Sequence, residues 1–192
     1  NYRGLSPDAW RNRVATDVFE PGSTMKPFLV AAALEEQVCR PESIYFCENG
    51  SWSGKGFVIG DTHEYGWLDV RRILSLSSNI GSAKIGFALG AERYHDYLRR
   101  FGFGEATAVG LPGESRGVLR APREWYNADL VAVSFGQGMS VTVLQLAQGY
   151  LRLARGVEHV PLAPRGLIAE AEGVEDAASV DAGGRVPDVG LL

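Results

Sequence analysis

A Pro21-Gly22 turn followed by an apolar run constrains this chain more than any other feature. Thr24-Met25-Lys26-Pro27-Phe28-Leu29-Val30-Ala31-Ala32-Ala33-Leu34-Glu35 has the length and apolar content of a buried helix, and the Pro-Gly pair is the turn that starts it. Pro27 fits only in a first turn, where its missing N–H has no partner to lose. This register puts Ser23 at the helix N-terminus with Lys26 three residues on, and positions i and i+3 share a face. The spacing predicts that the Lys26 nitrogen reaches the Ser23 oxygen. A serine before a helix is more often just an N-cap, and Ser-x-x-Lys occurs by chance in many proteins.

The chemistry available to such a pair is definite. A serine hydroxyl is a poor nucleophile until a base takes its proton. Lysine, with an ordinary pKa of about 10.4, becomes that base when burial or the positive end of a helix dipole lowers it. A second cluster, Ser77-Ser78-Asn79, supplies Ser-x-Asn. Together these allow acyl transfer without histidine; His63, His95 and His159 are scattered, and a turn or packing role suits His63. The Lys-Thr-Gly motif commonly found with the other two does not occur in the 192 residues.

Several classes drop out. A net charge of −4 with no basic stripe argues against nucleic acid. No apolar run approaches the ~18 residues of a membrane span. No signal peptide is evident, and Asn1-Tyr2-Arg3 reads as an internal start. Cys39 and Cys47 would pair in an oxidising compartment, although two unpaired thiols fit slightly better; they are too few for a zinc site, so no metal or cofactor is expected. Gly136-Gln137-Gly138 lacks the Gly-Lys-Ser/Thr of a phosphate cradle.

Along the chain, residues 38–66 read as loops and short strands, Phe57-Val58-Ile59 being one. Asp69 is placed as an N-cap, helices are expected over Ile80–Leu89 (ended by Gly90), Glu92–Phe101 and Glu124–Val131, and Thr142 caps a helix running to Ala154. Arg93, Arg99 and Arg100 read as a solvated face. Residues 157–192 carry no aromatic side chain and read as weakly structured.

Phe19-Glu20-Pro21-Gly22-Ser23-Thr24-Met25-Lys26-Pro27 resembles the nucleophile segment of class B penicillin-binding proteins, the peptidoglycan D,D-transpeptidases. Gly60-Asp61-Thr62-His63-Glu64-Tyr65-Gly66-Trp67-Leu68-Asp69-Val70 is similar to the stretch before their second motif, and Leu76-Ser77-Ser78-Asn79-Ile80-Gly81 to the motif itself. Leu111-Pro112-Gly113-Glu114, Ser134-Phe135-Gly136-Gln137-Gly138 and Thr142–Ala147 resemble later landmarks, in the same order, over residues 11–156. The likeness is closest to the division type.

The resemblance implies an α+β, β-lactamase/transpeptidase-like fold, here mainly its helical part, with much of the antiparallel sheet missing and an apolar face uncovered. Residues 1–156 would be a partial transpeptidase domain and 157–192 a divergent tail. Ser23 would attack the stem-peptide carbonyl, Lys26 would be the base, Ser77 a proton relay, and Asn79 with Ser78 would bind substrate, Asn79 also holding Lys26. Stem peptides and β-lactams would be its ligands, the division or elongation machinery its partners. An N-terminal anchor would hold the parent at the periplasmic face of the inner membrane. Without Lys-Thr-Gly, activity of these 192 residues is expected to be severely impaired. The alternatives are a serine β-lactamase or D,D-carboxypeptidase of the same fold, or a non-catalytic sensor or remnant.

Overall fold

The structure, a computed structural model, describes Gly4 and residues 11–156; the expected tail over 157–192 lies outside the described residues. Its elements are helices α1 (Arg13–Thr16) and α2 (Lys26–Glu35), strands β1 (Ile44–Phe46), β2 (Ser51–Gly54), β3 (Phe57–Gly60) and β4 (Trp67–Asp69), and helices α3 (Val70–Ser75), α4 (Asn79–Leu89), α5 (Ala91–Arg100), α6 (Asn127–Ser134) and α7 (Val143–Arg155). Among the described residues the strands form two antiparallel pairs. β1 pairs with β4, with Tyr45 opposite Leu68, and β2 with β3, with Ser53 opposite Val58. The small strand content agrees with the mainly helical α+β expectation.

α2 is the central element and packs on α4 and α5, while α4 also packs on α6. Met25, Phe28, Leu29, Ala32 and Ala33 are fully buried against Ile73, Ile80, Ile85 and Leu98. Phe28 is the hub of an aromatic cluster, with ring centroids 5.0 Å from Phe101, 5.1 Å from Phe103 and 4.8 Å from Tyr150, all edge-on. Such contacts add about 0.5–1.5 kcal/mol each beyond burial. Phe28→Ala is therefore expected to destabilise the protein by about 3–5 kcal/mol, read as a lowered denaturant midpoint at unchanged slope.

The caps fall where the sequence places them. Asp69 accepts from Arg72 N–H at 2.7 Å, and Thr142 accepts from Gln145 N–H at 3.1 Å while the Gln145 side chain answers the Thr142 N–H at 2.9 Å. Helix α6 begins at Asn127 and runs to Ser134, later than the Glu124–Val131 expectation. Pro122–Glu124 forms a separate 3-10 turn, and the Asp129 side chain accepts the Tyr126 N–H, fixing the true start. On α5 the arginines are engaged: Arg93 and Arg99 approach Glu36 and Glu105, and Arg100 lies 4.6 Å from the Tyr97 ring centre. Cys39 and Cys47 are buried free thiols, in keeping with the unpaired reading. Apolar side chains remain exposed at Val14, Val18 and Phe19 and, on α7, at Val143 and Leu151.

Candidate active site

The chain reverses at Gly22, whose φ of +59° opens a 3-10 turn, Gly22–Met25, that leads directly into α2. Ser23 lies in that turn, exposed, and Lys26 is the first residue of α2. Ser23 makes no capping bond; Met25 occupies the N-cap position. The N-cap reading of Ser23 thus fails in this fold.

Lys26 is 1% exposed, and its Nζ carries the most informative contacts in the molecule. It lies 2.5 Å from Ser77 O, 2.9 Å from Ser77 Oγ and 2.8 Å from Asn79 Oδ1. Among the described residues no hydrogen bond joins it to Ser23 Oγ, contrary to the reach expected from i, i+3 spacing. The amine sits over the Ser77–Asn79 loop because those three oxygens are the acceptors that a buried ammonium requires. Ser77 holds a φ of +58°, unusual for a residue with a side chain, and Lys26 is bonded to it through both backbone and side-chain oxygens.

Burial lowers the Lys26 pKa from 10.5 to about 8, against the nearby Asp61 charge, which raises it. An ammonium donates to all three oxygens, whereas the neutral amine has two hydrogens and a lone pair. Ser77 O and Asn79 Oδ1 can only accept. In the neutral state the lone pair therefore faces Ser77 Oγ, a hydroxyl able to give up a proton.

Ser78 is fully buried. Its hydroxyl donates to Asp61 Oδ2 at 2.6 Å and accepts from Gly81 N–H at 2.9 Å, which caps α4 and places this side chain beneath the site. Asn79 is held on both sides: its Nδ2 donates to Gly60 O at 3.0 Å while Oδ1 accepts from Lys26. Ser23 and Asn79 share a cleft of about 340 Å³, walled by Ile59 and Gly60 on β3 and by Phe135 and Gln137. A larger hollow of about 660 Å³ lies beside Trp125 and Tyr126 and contains none of these residues, so size does not identify the site here.

The individual bonds that hold the Ser23 turn from behind were not legible in the sequence. Gly22 N–H donates to Gly136 O at 2.9 Å, Gly138 N–H donates to Glu20 Oε1 at 2.8 Å, and Phe19 pairs with Val141. Tyr150 Oη donates to Thr24 O at 2.8 Å from α7. The Gly-Gln-Gly loop, which does not fit a phosphate cradle, is thus the backing of the Ser23 turn. His63 is exposed, its ring 5.7 Å from that of Tyr65.

The structure thus brings a buried lysine onto Ser-x-Asn beside a turn-borne serine, and comparison with known proteins gives the chain a family. The penicillin binding protein transpeptidase domain matches residues 1–174, and the chain belongs to that family. It is similar to the peptidoglycan D,D-transpeptidase FtsI of Escherichia coli K12, 39% identical over 78% of this chain and 25% of the relative. It is also similar to penicillin-binding protein PbpB of Mycolicibacterium smegmatis, 33% identical over 84% of the chain and 26% of the relative. Among solved structures, the transpeptidase domain of Burkholderia pseudomallei penicillin-binding protein 3 superposes with a TM-score of 0.73 at 39% identity, covering 75% of this chain and 44% of that one. The chain thus spans about a quarter of the length of these curated relatives.

Proposed function

We propose that this chain carries the nucleophile and relay half of a serine-type peptidoglycan D,D-transpeptidase. The observation that carries the reading is the buried Lys26 Nζ joined to Ser77 and Asn79, with Ser23 three residues away on the rim of the same cleft. Ser23 Oγ attacks the penultimate D-alanyl carbonyl of a stem peptide, and neutral Lys26 takes its proton. The Nζ lone pair turns from Ser77 Oγ to Ser23 Oγ as the acyl group enters, since catalytic hydrogen bonds often tighten only in the substrate complex. Ser77 Oγ, already bonded to Nζ, passes that proton to the departing D-alanine amine. An amine from a neighbouring stem then takes the acyl group and regenerates Ser23. One Nδ2 hydrogen of Asn79 is used by Gly60 O, which leaves the other for a substrate carbonyl. Ser78 acts by fixing this loop.

β-Lactams fit the same cleft as acylating mimics. The parent would work in wall synthesis with the division or elongation machinery at the periplasmic face of the inner membrane. Among the described residues no helix is long and apolar enough to cross a membrane.

The test is prolonged incubation with excess penicillin, followed by mass spectrometry of the digested chain. A penicilloyl adduct on the Ser23 peptide, absent in Ser23→Ala and persisting for hours, is expected. An adduct that clears within minutes favours a β-lactamase, and no adduct at all overturns the proposal.

A further inference from the structure

Asp61 belongs to neither motif, yet its side chain makes three hydrogen bonds to the Ser78–Ile80 segment of the site. Its backbone is fixed by a bond from Asp61 N–H to Gly50 O at 3.0 Å. Its carboxylate then accepts three bonds: Oδ2 from Ser78 Oγ at 2.6 Å, and Oδ1 from the N–H groups of Asn79 at 2.5 Å and Ile80 at 3.1 Å. These N–H groups belong to the first turn of α4, where backbone donors have no helical partner and the dipole is positive. A carboxylate from another segment therefore caps α4 at the residue whose side chain holds Lys26.

Building on the acyl-transfer reading above, we propose that Asp61 is a positioning residue of this site. It holds the Asn79 end of α4 against Lys26 and stands beside that amine as a fixed counter-charge. Its placement fits both tasks. Asp61 accepts the Asn79 backbone N–H and Gly60 O accepts from its Nδ2, which turns the side-chain Oδ1 toward Lys26. A turn later α4 presents Lys84, which is paired with Glu48. The Cys47 thiol beneath Ser78 is pushed up by burial and stays neutral, and so do the Tyr94 and Tyr97 phenols on α5. From α3, Arg71 is exposed and paired with Glu42, and Arg72 is exposed; His63 and Glu64 lie exposed beyond Asp61. Asp61 is thus the charge that acts on Lys26, and it opposes the effect of burial. Without it, Lys26 would face the bare positive end of α4.

The test uses the whole 192-residue chain, in which Lys26, Lys55 and Lys84 are the only lysines. Their ε-carbons, labelled with carbon-13, are titrated by NMR. In the native protein Lys26 is expected to titrate near about 8. Asp61→Asn keeps the side-chain shape and an acceptor oxygen and removes the charge, and it is expected to lower the Lys26 midpoint by about one pH unit or more. Asp61→Glu keeps the charge and displaces the bonds; it should hold the midpoint within about half a pH unit while slowing penicillin acylation at least tenfold. Unchanged Lys26 titration in Asp61→Asn, or a fall in Asp61→Glu as large as that in Asp61→Asn, overturns the counter-charge role. Native acylation rates in both variants overturn the positioning role. A native chain that never forms an adduct defeats the transpeptidase reading, and the lysine titration still decides the action of Asp61.

Discussion

Lys26→Met is expected to slow penicillin acylation of Ser23 by about 10³- to 10⁴-fold while leaving the fold intact, because the substitution removes the proposed base and little packing. Met matches the lysine stem in length and is at home among the buried neighbours of α2. What it loses is the nitrogen bonded to Ser77 O, Ser77 Oγ and Asn79 Oδ1. The orphaned acceptors cost about 1–3 kcal/mol each if they stay dry, and the removed desolvation of a buried cation offsets part of that cost. A rate within tenfold of the native chain would reject Lys26 as the base.

The pH behaviour sharpens this prediction. In the proposed mechanism Lys26 acts only when neutral, so native acylation is expected to rise with pH through about 8 and level off above it. Stability moves in the same direction. Between about pH 8 and 10.5 the unfolded lysine holds a proton that the folded one has lost, so the unfolded state binds more protons and stability rises with pH. Relative to Lys26→Met, the native chain should gain about 3 kcal/mol across that window, on the order of 1.4 kcal/mol for each pH unit separating the folded and unfolded midpoints. Urea titrations of both chains at about pH 7.5 and 10.5 measure the difference, and a parallel pair of curves would refute a depressed Lys26.

Gly136→Ala is expected to disable the site from behind. A Cβ at position 136 would overlap Gly22 O and stand 2.8 Å from Gly22 N, the backbone that carries Ser23, and the residue sits at a φ of +79°. Neither chain segment can yield cheaply, because Gly22 itself is at φ +59° and bonded to Gly136 O. The expected cost is about 3–5 kcal/mol of stability, with acylation down about 100-fold, since a displacement near 1 Å suffices for that loss. Gly138→Ala is the control. Its φ is +71° but its Cβ would meet nothing closer than Ala132 Cβ at 3.7 Å, so only backbone strain of about 1–2 kcal/mol is expected. Equal effects of the two substitutions would reject the clash.

The sequence was most legible where contacts are local. The Asp69 and Thr142 caps, the Gly90 stop of α4 and the α2 register all depend on residues within a few positions of one another. Helix α6 was misplaced because an apolar run marks a helix without marking its first residue; the Asp129 bond to Tyr126 N–H does that. At the site, Ser23, Lys26, Ser77 and Asn79 stood out as motifs, and the structure gathers them around one cleft and its floor. Their wiring could not be read from spacing. The i, i+3 rule pointed Lys26 at Ser23, but three oxygens from a loop about fifty residues away hold it instead. Ser78, expected on the substrate side, is turned under the loop by Asp61 and Gly81.

The order of residues alone determined that a buried helix would begin at a Pro-Gly turn with a hydroxyl and an amine in its opening residues, since helix starts and buried faces follow from short-range pattern. Tertiary structure alone decided which oxygens the amine meets, which carboxylate caps α4 and which backbone supports the serine. These depend on chain segments 17 to about 118 residues apart, which meet only once the apolar faces of α2, α4 and α6 have packed.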